Sequence, residues 1–151
     1  MRRRLSAVAA LAGLALGGCV TPATGSDSYR DKAVTTLHAV RSEAATADLA
    51  VRLLEDGRAT SAYADETISA AEQDVASVDD AFSSVQPPAR SDDQTRAEVG
   101  DLVTRAGQAV AQARIAARRS DAAGLRSADR QLREIRAQAG DLAARLSGVG
   151  R

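Results

Sequence analysis

Cys19 is the only cysteine in this chain of 151 residues, and His38 is its only histidine. A tetrahedral zinc site needs four N or S ligands, and a serine or cysteine triad needs an imidazole beside its nucleophile. A di-iron bundle needs Glu-x-x-His pairs on facing helices, and covalent haem needs Cys-x-x-Cys-His. None of these sets can be assembled here, so neither a metal nor a cofactor is expected. His38 follows Leu37 at the edge of an apolar stripe and reads as a solvated or boundary histidine. Asp65, Glu66, Glu72, Asp74, Asp79 and Asp80 could attract divalent cations. They are strung along a helical segment, however, whereas calcium wants oxygens converging from a loop with a sharp glycine turn. A solvated acidic face is the plainer reading. Arg114, Arg118, Arg119, Arg126, Arg130, Arg133 and Arg136 are interrupted only by the acids Asp121, Asp129 and Glu134. Of these, Arg126, Arg130 and Arg133 share one helix face that suits anionic lipid headgroups or an acidic envelope polymer. The competing reading pairs this stretch with the acidic half of the chain. Gly100, Gly107, Gly124 and Gly140 are isolated within helical patterns and form no phosphate-cradling loop. Close helix contact or local kinks explain them.

The amino terminus gives Cys19 a different role. Arg2, Arg3 and Arg4 form a positive stretch, and Leu5 through Leu16 form an apolar run too short for a stable span. Leu16-Gly17-Gly18-Cys19 follows. This order resembles the lipobox of bacterial lipoproteins, with leucine three places before the cysteine and small residues between. The resemblance covers the first 19 residues. It implies diacylglyceryl transfer to the Cys19 sulfur and cleavage between Gly18 and Cys19. Two or more acyl chains hold a protein stably at a bilayer, where a single chain is marginal. Residues 1–18 are thus expected to be a signal peptide, and residues 19–27 a lipidated cysteine and flexible tether. The mature domain would sit on the extracytoplasmic face of the cell membrane. Extended, Val20 to Asp27 reaches at most about 28 Å.

The rest of the chain, 28–149, must then be one domain. Aromatic residues make up 2% of the sequence, as Tyr29, Tyr63 and Phe82, and alanine is abundant. This composition favours helix over strand. Four segments carry apolar residues at alternating steps of three and four. The first, about Ser28–Asp56, has the stripe Leu37, Val40, Ala44, Ala47, Val51 and Leu54, with Gly57 as a stop. The second, about Ser61–Gln86, has Ala64, Ile68, Ala71, Val75, Val78, Phe82 and Val85, and ends at Pro87-Pro88. The third starts after Ser91, where Ser91-Asp92-Asp93-Gln94 reads as a capping box. Its stripe is Val99, Val103, Ala106, Val110, Ala113 and Ala117. The fourth begins near Ser120-Asp121 and carries Leu125, Ala128, Leu132, Ile135, Ala139, Leu142, Leu146 and Val149. A continuous helix through Ala122 and Ala123, kinked at Gly124, is the alternative at that boundary. Short linkers make consecutive helices antiparallel neighbours, so the expected fold is an all-α, up-down-up-down four-helix bundle with coiled-coil-like packing. A dimer of hairpins would satisfy the same stripes.

Charge sorts the chain into halves. The net formal charge is zero, yet residues 20–89 hold 12 acids and 5 bases while residues 90–151 hold 8 acids and 12 bases. An acidic first hairpin lying against a basic second one follows from this, and the asymmetry is too mild for a nucleic-acid binder. Asp101–Arg105, Asp129–Arg133, Arg130–Glu134 and Asp141–Arg145 stand at i,i+4 spacing, where ion pairs form. With one lysine against 19 arginines, the chain looks like the small Ala-rich helical lipoproteins of high-GC, actinobacterial type, a likeness that carries no activity. The function expected is a non-enzymatic, membrane-tethered interaction or structural module of the cell envelope, whose partners are membrane lipid through Cys19 and an envelope protein. The alternative is a bundle that binds or senses a small apolar molecule between its helices, which a continuous interior cavity would mark.

Overall fold

A computed structural model describes residues 24–148. The leader, the Gly18–Cys19 junction and Val149 lie outside the described residues. Among those described there are four long helices and no strand: α1 (Ser26–Glu55), α2 (Ser61–Ser83), α3 (Asp93–Arg118) and α4 (Ala122–Leu146), with a single 3-10 turn, Arg90–Asp92, leading into α3. The helix α1 has 30 residues and is about 45 Å long. It starts two residues earlier than expected, so Ser26 and Asp27 belong to the helix rather than to the tether.

The helices pack as a bundle. Helix α1 lies against α4 and α2, α3 lies against α2 and α4, and α1 also touches α3 across the middle. The stripes read from the sequence are the core. Leu37, Val40, Val51, Ile68, Val99, Val103, Val110 and Leu132 are all within 2% of complete burial. Val78, Leu54 and Leu146 are half-buried on its margin. Alanines fill much of the remainder: Ala33, Ala44, Ala47 and Ala50 in α1, and Ala106, Ala109, Ala113, Ala116 and Ala117 in α3. Small side chains on both of these helices suit the contact they make across the bundle. Tyr29 and Leu102, absent from the expected stripes, are also buried.

The helix ends follow from local chemistry. Gly57 ends α1 in a left-handed conformation (φ 66°), where the N–H of Arg58 bonds to the carbonyl of Leu53 and that of Gly57 to Leu54. This is the glycine stop the sequence indicates. The same pattern closes α3, with Asp121 donating to Ala116 and Ser120 to Ala117. There the left-handed residue is Ser120 (φ 51°), not glycine. Asp121 then caps α4 by accepting the N–H groups of Ala123 and Gly124, both at 3.0 Å. The third and fourth helices are therefore separate, and a kinked continuous helix is ruled out. Gly124 serves the turn itself: a Cβ there would stand 2.7 Å from the Asp121 carboxylate and 3.0 Å from the Ala116 methyl.

Two expected termini need correction. Helix α2 ends at Ser83 rather than Gln86, because Pro87 restrains Gln86 to an extended backbone and the last turn tightens, Val85 donating to the Phe82 carbonyl. Val85 still reaches the core. The Ser91–Gln94 capping box does not form. The N-cap of α3 is Asp92, whose side chain makes no capping bond; it accepts instead from the Ser26 hydroxyl at 2.7 Å, while Gln94 bonds to Glu98.

Ser120 is the one non-glycine residue with positive φ among the described residues, and its Cβ crowds the neighbouring carbonyl there. Ser120→Gly is expected to raise stability by about 0.5–1 kcal/mol and Gly57→Ala to lower it by about 1 kcal/mol, both read from urea unfolding midpoints.

Candidate functional site

Polar contacts concentrate at three places. The first is the buried seam between α1 and α4. Continuing the three-four spacing from Ala44 brings Asp48 and then Val51 onto the inner side of α1, and Leu125, Asp129, Leu132 and Arg136 succeed each other in the same way on α4. Asp48 is 0% exposed. Its Oδ2 accepts from Arg136 Nη1 at 2.7 Å and lies 3.2 Å from Arg52 Nη2, one turn along its own helix. Asp129, on the facing side of α4, pairs with Arg133. The Oδ1 atoms of both aspartates are buried without a donor, and Arg136 Nε is buried without an acceptor. Burial pushes the Asp48 carboxyl above the usual carboxylate range; Arg52 and Arg136 pull it down, and Asp129 pushes it further up.

The second place is the junction of α2 with α3. Arg114 grips Glu72 with Nε at 2.5 Å, and its Nη2 lies 3.5 Å from the other carboxylate oxygen. The bond to Glu72 holds the Arg114 guanidinium charged to still higher pH. One turn further along α3, Arg118 stands 3.5 Å from Asp65. The acids that looked like a cation-attracting row thus include two that are taken by arginines of α3. Among the described residues no three His, Cys, Asp or Glu side chains come together as a metal site. His38 is exposed.

The third place is the end of the bundle where α1 begins. Arg96 of α3 donates to the carbonyls of Val85 and Ser83, at 2.7 and 3.1 Å, and so completes the C-terminus of α2. Tyr29 packs on Phe82 with ring centroids 5.8 Å apart. Its hydroxyl is buried without a well-aligned partner; burial raises its pKa and the nearby Arg96 opposes that shift.

The arginine face read from the sequence is divided by the structure. Arg126, Arg130 and Arg133 are all exposed. Arg133 is engaged by Asp129, whereas Arg126 and Arg130 are in no ion pair among the described residues. Arg126 lines an open groove of about 310 Å³ with Leu54, Glu55, Ser120, Ala122 and Leu125, at the end of α1 remote from Ser26. Asp101–Arg105 and Asp129–Arg133 form as the spacing indicates. The other two expected pairs do not: Arg145 turns to Glu98 at 3.6 Å, and Glu134 accepts from Gln138 instead. The larger groove, about 420 Å³, lies between α1 and α2 and is lined by Ser28, Lys32, Thr35, Phe82 and Val85 among others. Both grooves open to solvent, so neither supplies the enclosed apolar cavity that a ligand held between the helices requires.

The sequence reading passed over Asp48 altogether and noted Asp129 and Arg136 only as surface charges. The available signal was their place on the apolar spacing. Comparison with protein-family models, with curated proteins and with solved structures finds no match.

Replacing Arg96 by Met keeps its apolar stem but strips two carbonyls of their donor. A loss of about 1–2 kcal/mol is expected in chemical denaturation, with faster amide exchange confined to the last turn of α2.

Proposed function

We propose that this protein is a lipid-anchored module of the cell envelope, held on the extracytoplasmic face of the membrane through acylated Cys19, that acts by presenting a rigid helical surface rather than by catalysis. The observation that carries this reading is the succession of Arg2–Arg4, the apolar run to Leu16 and the Gly17-Gly18-Cys19 ending. The helical domain starts at Ser26, seven residues beyond the cysteine, a span of at most about 25 Å when extended. The domain is therefore kept close to the bilayer. Among the described residues no helix is long and apolar enough to cross a membrane, so attachment in this reading rests on the acyl chains.

The bundle is taken to run up-down-up-down, with coiled-coil-like seams. Pairings across neighbouring helices support this, because one residue number rises as the other falls. Asp65 meets Arg118 and Glu72 meets Arg114. Glu98 meets Arg145 and Arg105 meets Gln138. Tyr29 meets Phe82 on α2, while Leu54 shares a groove with Leu125. In such a bundle the end carrying Ser26, Asp92 and Arg96 faces the membrane. The exposed Arg126 and Arg130 then lie toward the far end, roughly 40 Å along the bundle axis. That distance favours an acidic envelope protein as their partner over lipid headgroups, whose attraction decays within about 10 Å.

Full-length protein expressed in a bacterium with lipoprotein processing should incorporate an alkyne-tagged palmitate and sediment with membranes. Cys19→Ser should incorporate no label and appear in the soluble extracytoplasmic fraction. Membrane association that survives this substitution overturns the anchoring. Arg126→Gln with Arg130→Gln should change stability by less than about 0.5 kcal/mol while reducing the yield of in-cell crosslinks to the partner; undiminished crosslinking removes that face from the proposal.

A further inference from the structure

Two helices of the bundle keep charge that no partner within the chain takes up. Helix α2 carries six acids and no base. Asp65 and Glu72 are held by arginines of α3. Glu66, Asp74 and Asp80 are exposed and in no ion pair among the described residues. On α4, Arg126 and Arg130 stand in the same condition. Helix α1 packs against α3 as well as against α2 and α4, so α2 and α4 occupy opposite corners of the bundle. One corner is acidic and the other basic.

The two corners also match in height. Asp65 stands level with Arg118 and Glu72 with Arg114, while Glu98 stands level with Arg145 and Arg105 with Gln138. The numbers of level residues add to 183–186 between α2 and α3 and to 243 between α3 and α4, so a residue of α2 is level with the α4 residue 57 to 60 places later. Glu66, Ala70, Gln73 and Ser77 follow one another at steps of four, three and four on the outside of α2. Arg126, Arg130, Arg133 and Ala137 repeat those steps on the outside of α4, each 60 places on. Glu66 is thus level with Arg126, and Asp74 lies within one turn of Arg130 and Arg133.

We propose that the partner of the Arg126–Arg130 face is the α2 face of a second copy of this chain, so that anchored bundles stand side by side in a row, each α4 against the α2 of its neighbour.

The arrangement rests on the lipid anchor and the up-down course of the helices proposed for this chain. Acylation at Cys19 turns the same end of every copy toward the bilayer, which is the orientation in which the levels agree. Contacts about a two-fold axis along the membrane normal are disfavoured, because α4 on α4 sets arginines against arginines and α2 on α2 sets acids against acids. The contact that remains joins two different faces and therefore propagates instead of closing as a pair. Asp74 gains most from it. Asp74 lies near Glu43 of α1, whose carboxyl is held above the ordinary range by burial and then by Asp74 itself; an arginine from the next copy relieves that edge. Asp80 falls level with Ala137 and Gly140 and meets no arginine, so the attraction is concentrated in the half of the bundle away from the membrane. Ala70 and Ser77 are small and let the neighbouring helix come close. One helix face buries less than the roughly 1,000 Å² of a stable interface. Confinement to a surface in one orientation supplies the effective concentration that such a weak contact needs.

The test uses the full acylated chain in bacterial membranes, carrying Ser77→Cys and Ala137→Cys. With Cys19 acylated these are its only thiols, and they sit on opposite corners of one molecule, too far apart to bridge within it. A mild oxidant should give a ladder of disulfide-linked multimers, whereas either cysteine alone should give monomer. Arg126→Glu with Arg130→Glu should abolish the ladder, and adding Glu66→Arg with Asp74→Arg should restore it. All these positions are exposed, so circular dichroism should show unchanged helix content. Palmitate labelling of the same samples separates the two readings. Labelled protein that gives no ladder, dimers from a single cysteine, or a ladder indifferent to charge reversal overturns the row and leaves the anchor standing. Unlabelled protein overturns the anchor, and the row with it.

Discussion

The close approach that alanine permits governs this fold. A bundle lined by leucine keeps its helix axes roughly 10 Å apart, and charged side chains at the seam edges stay wet. Here Ala44 and Ala47 of α1 and Ala128 and Ala139 of α4 are all buried with at most 1% exposure. The backbones come together, and the positions flanking the alanines are carried into the dry region with them. Asp48 follows Ala47 in the sequence, and Asp129 follows Ala128. Both aspartates are buried beside these alanines. Once desolvated, each carboxylate needs a partner, because an unpaired buried charge would cost several kcal/mol. Arg52, Arg133 and Arg136 meet that need from the rim, where their long stems cover apolar surface and their heads reach inward.

The same closeness weakens what the core alone can do. Alanine buries little area, and hydrophobic stabilisation scales with area at about 25 cal/mol per Å². Specificity must then come from elsewhere, since alanine stripes slide past one another with little change in packing. Polar contacts between helices supply it. Arg114 on Glu72 and Arg118 on Asp65 set α3 against α2; Arg136 on Asp48 sets α4 against α1; Ser26 on Asp92 sets the start of α1 against the start of α3. Three of these four join an acid of the first half of the chain to an arginine of the second. The charge asymmetry is thus the register code of the bundle, written where alanine leaves register undetermined.

Much of this was legible in the sequence, and most of what was not turns on contacts between helices. The apolar stripes lie where the three-four spacing puts them, because burial of Leu37, Val103 or Leu132 depends on helical period alone. Gly57 and Asp121 end and begin their helices by short-range chemistry that neighbours cannot overrule. The capping box at Ser91 failed because its acid had a better use: Asp92 faces α1, and a tertiary hydrogen bond to Ser26 displaced a local one. Helix α2 stopped short of Gln86 because proline acts on the residue before it, while Val85 kept its apolar place without helical backbone. Arg145 abandoned Asp141 for Glu98 on α3. For Asp92 and Arg145 a long-range partner outbid a local one, and such partners cannot be identified before the helices are in place.

The buried pair was hidden for a subtler reason. A polar residue beside an apolar stripe is normally taken as its edge, and for His38, which is exposed, that reading holds. What distinguishes Asp48 is its flanking: Ala44, Ala47 and Val51 surround it within one turn on either side, and all are fully buried. His38 lies one place off the Ala33, Leu37, Val40, Ala44 spacing and is exposed. A polar residue that stands on the apolar spacing itself, as Asp48 does between Ala44 and Val51 and Asp129 between Leu125 and Leu132, should thus be read as buried.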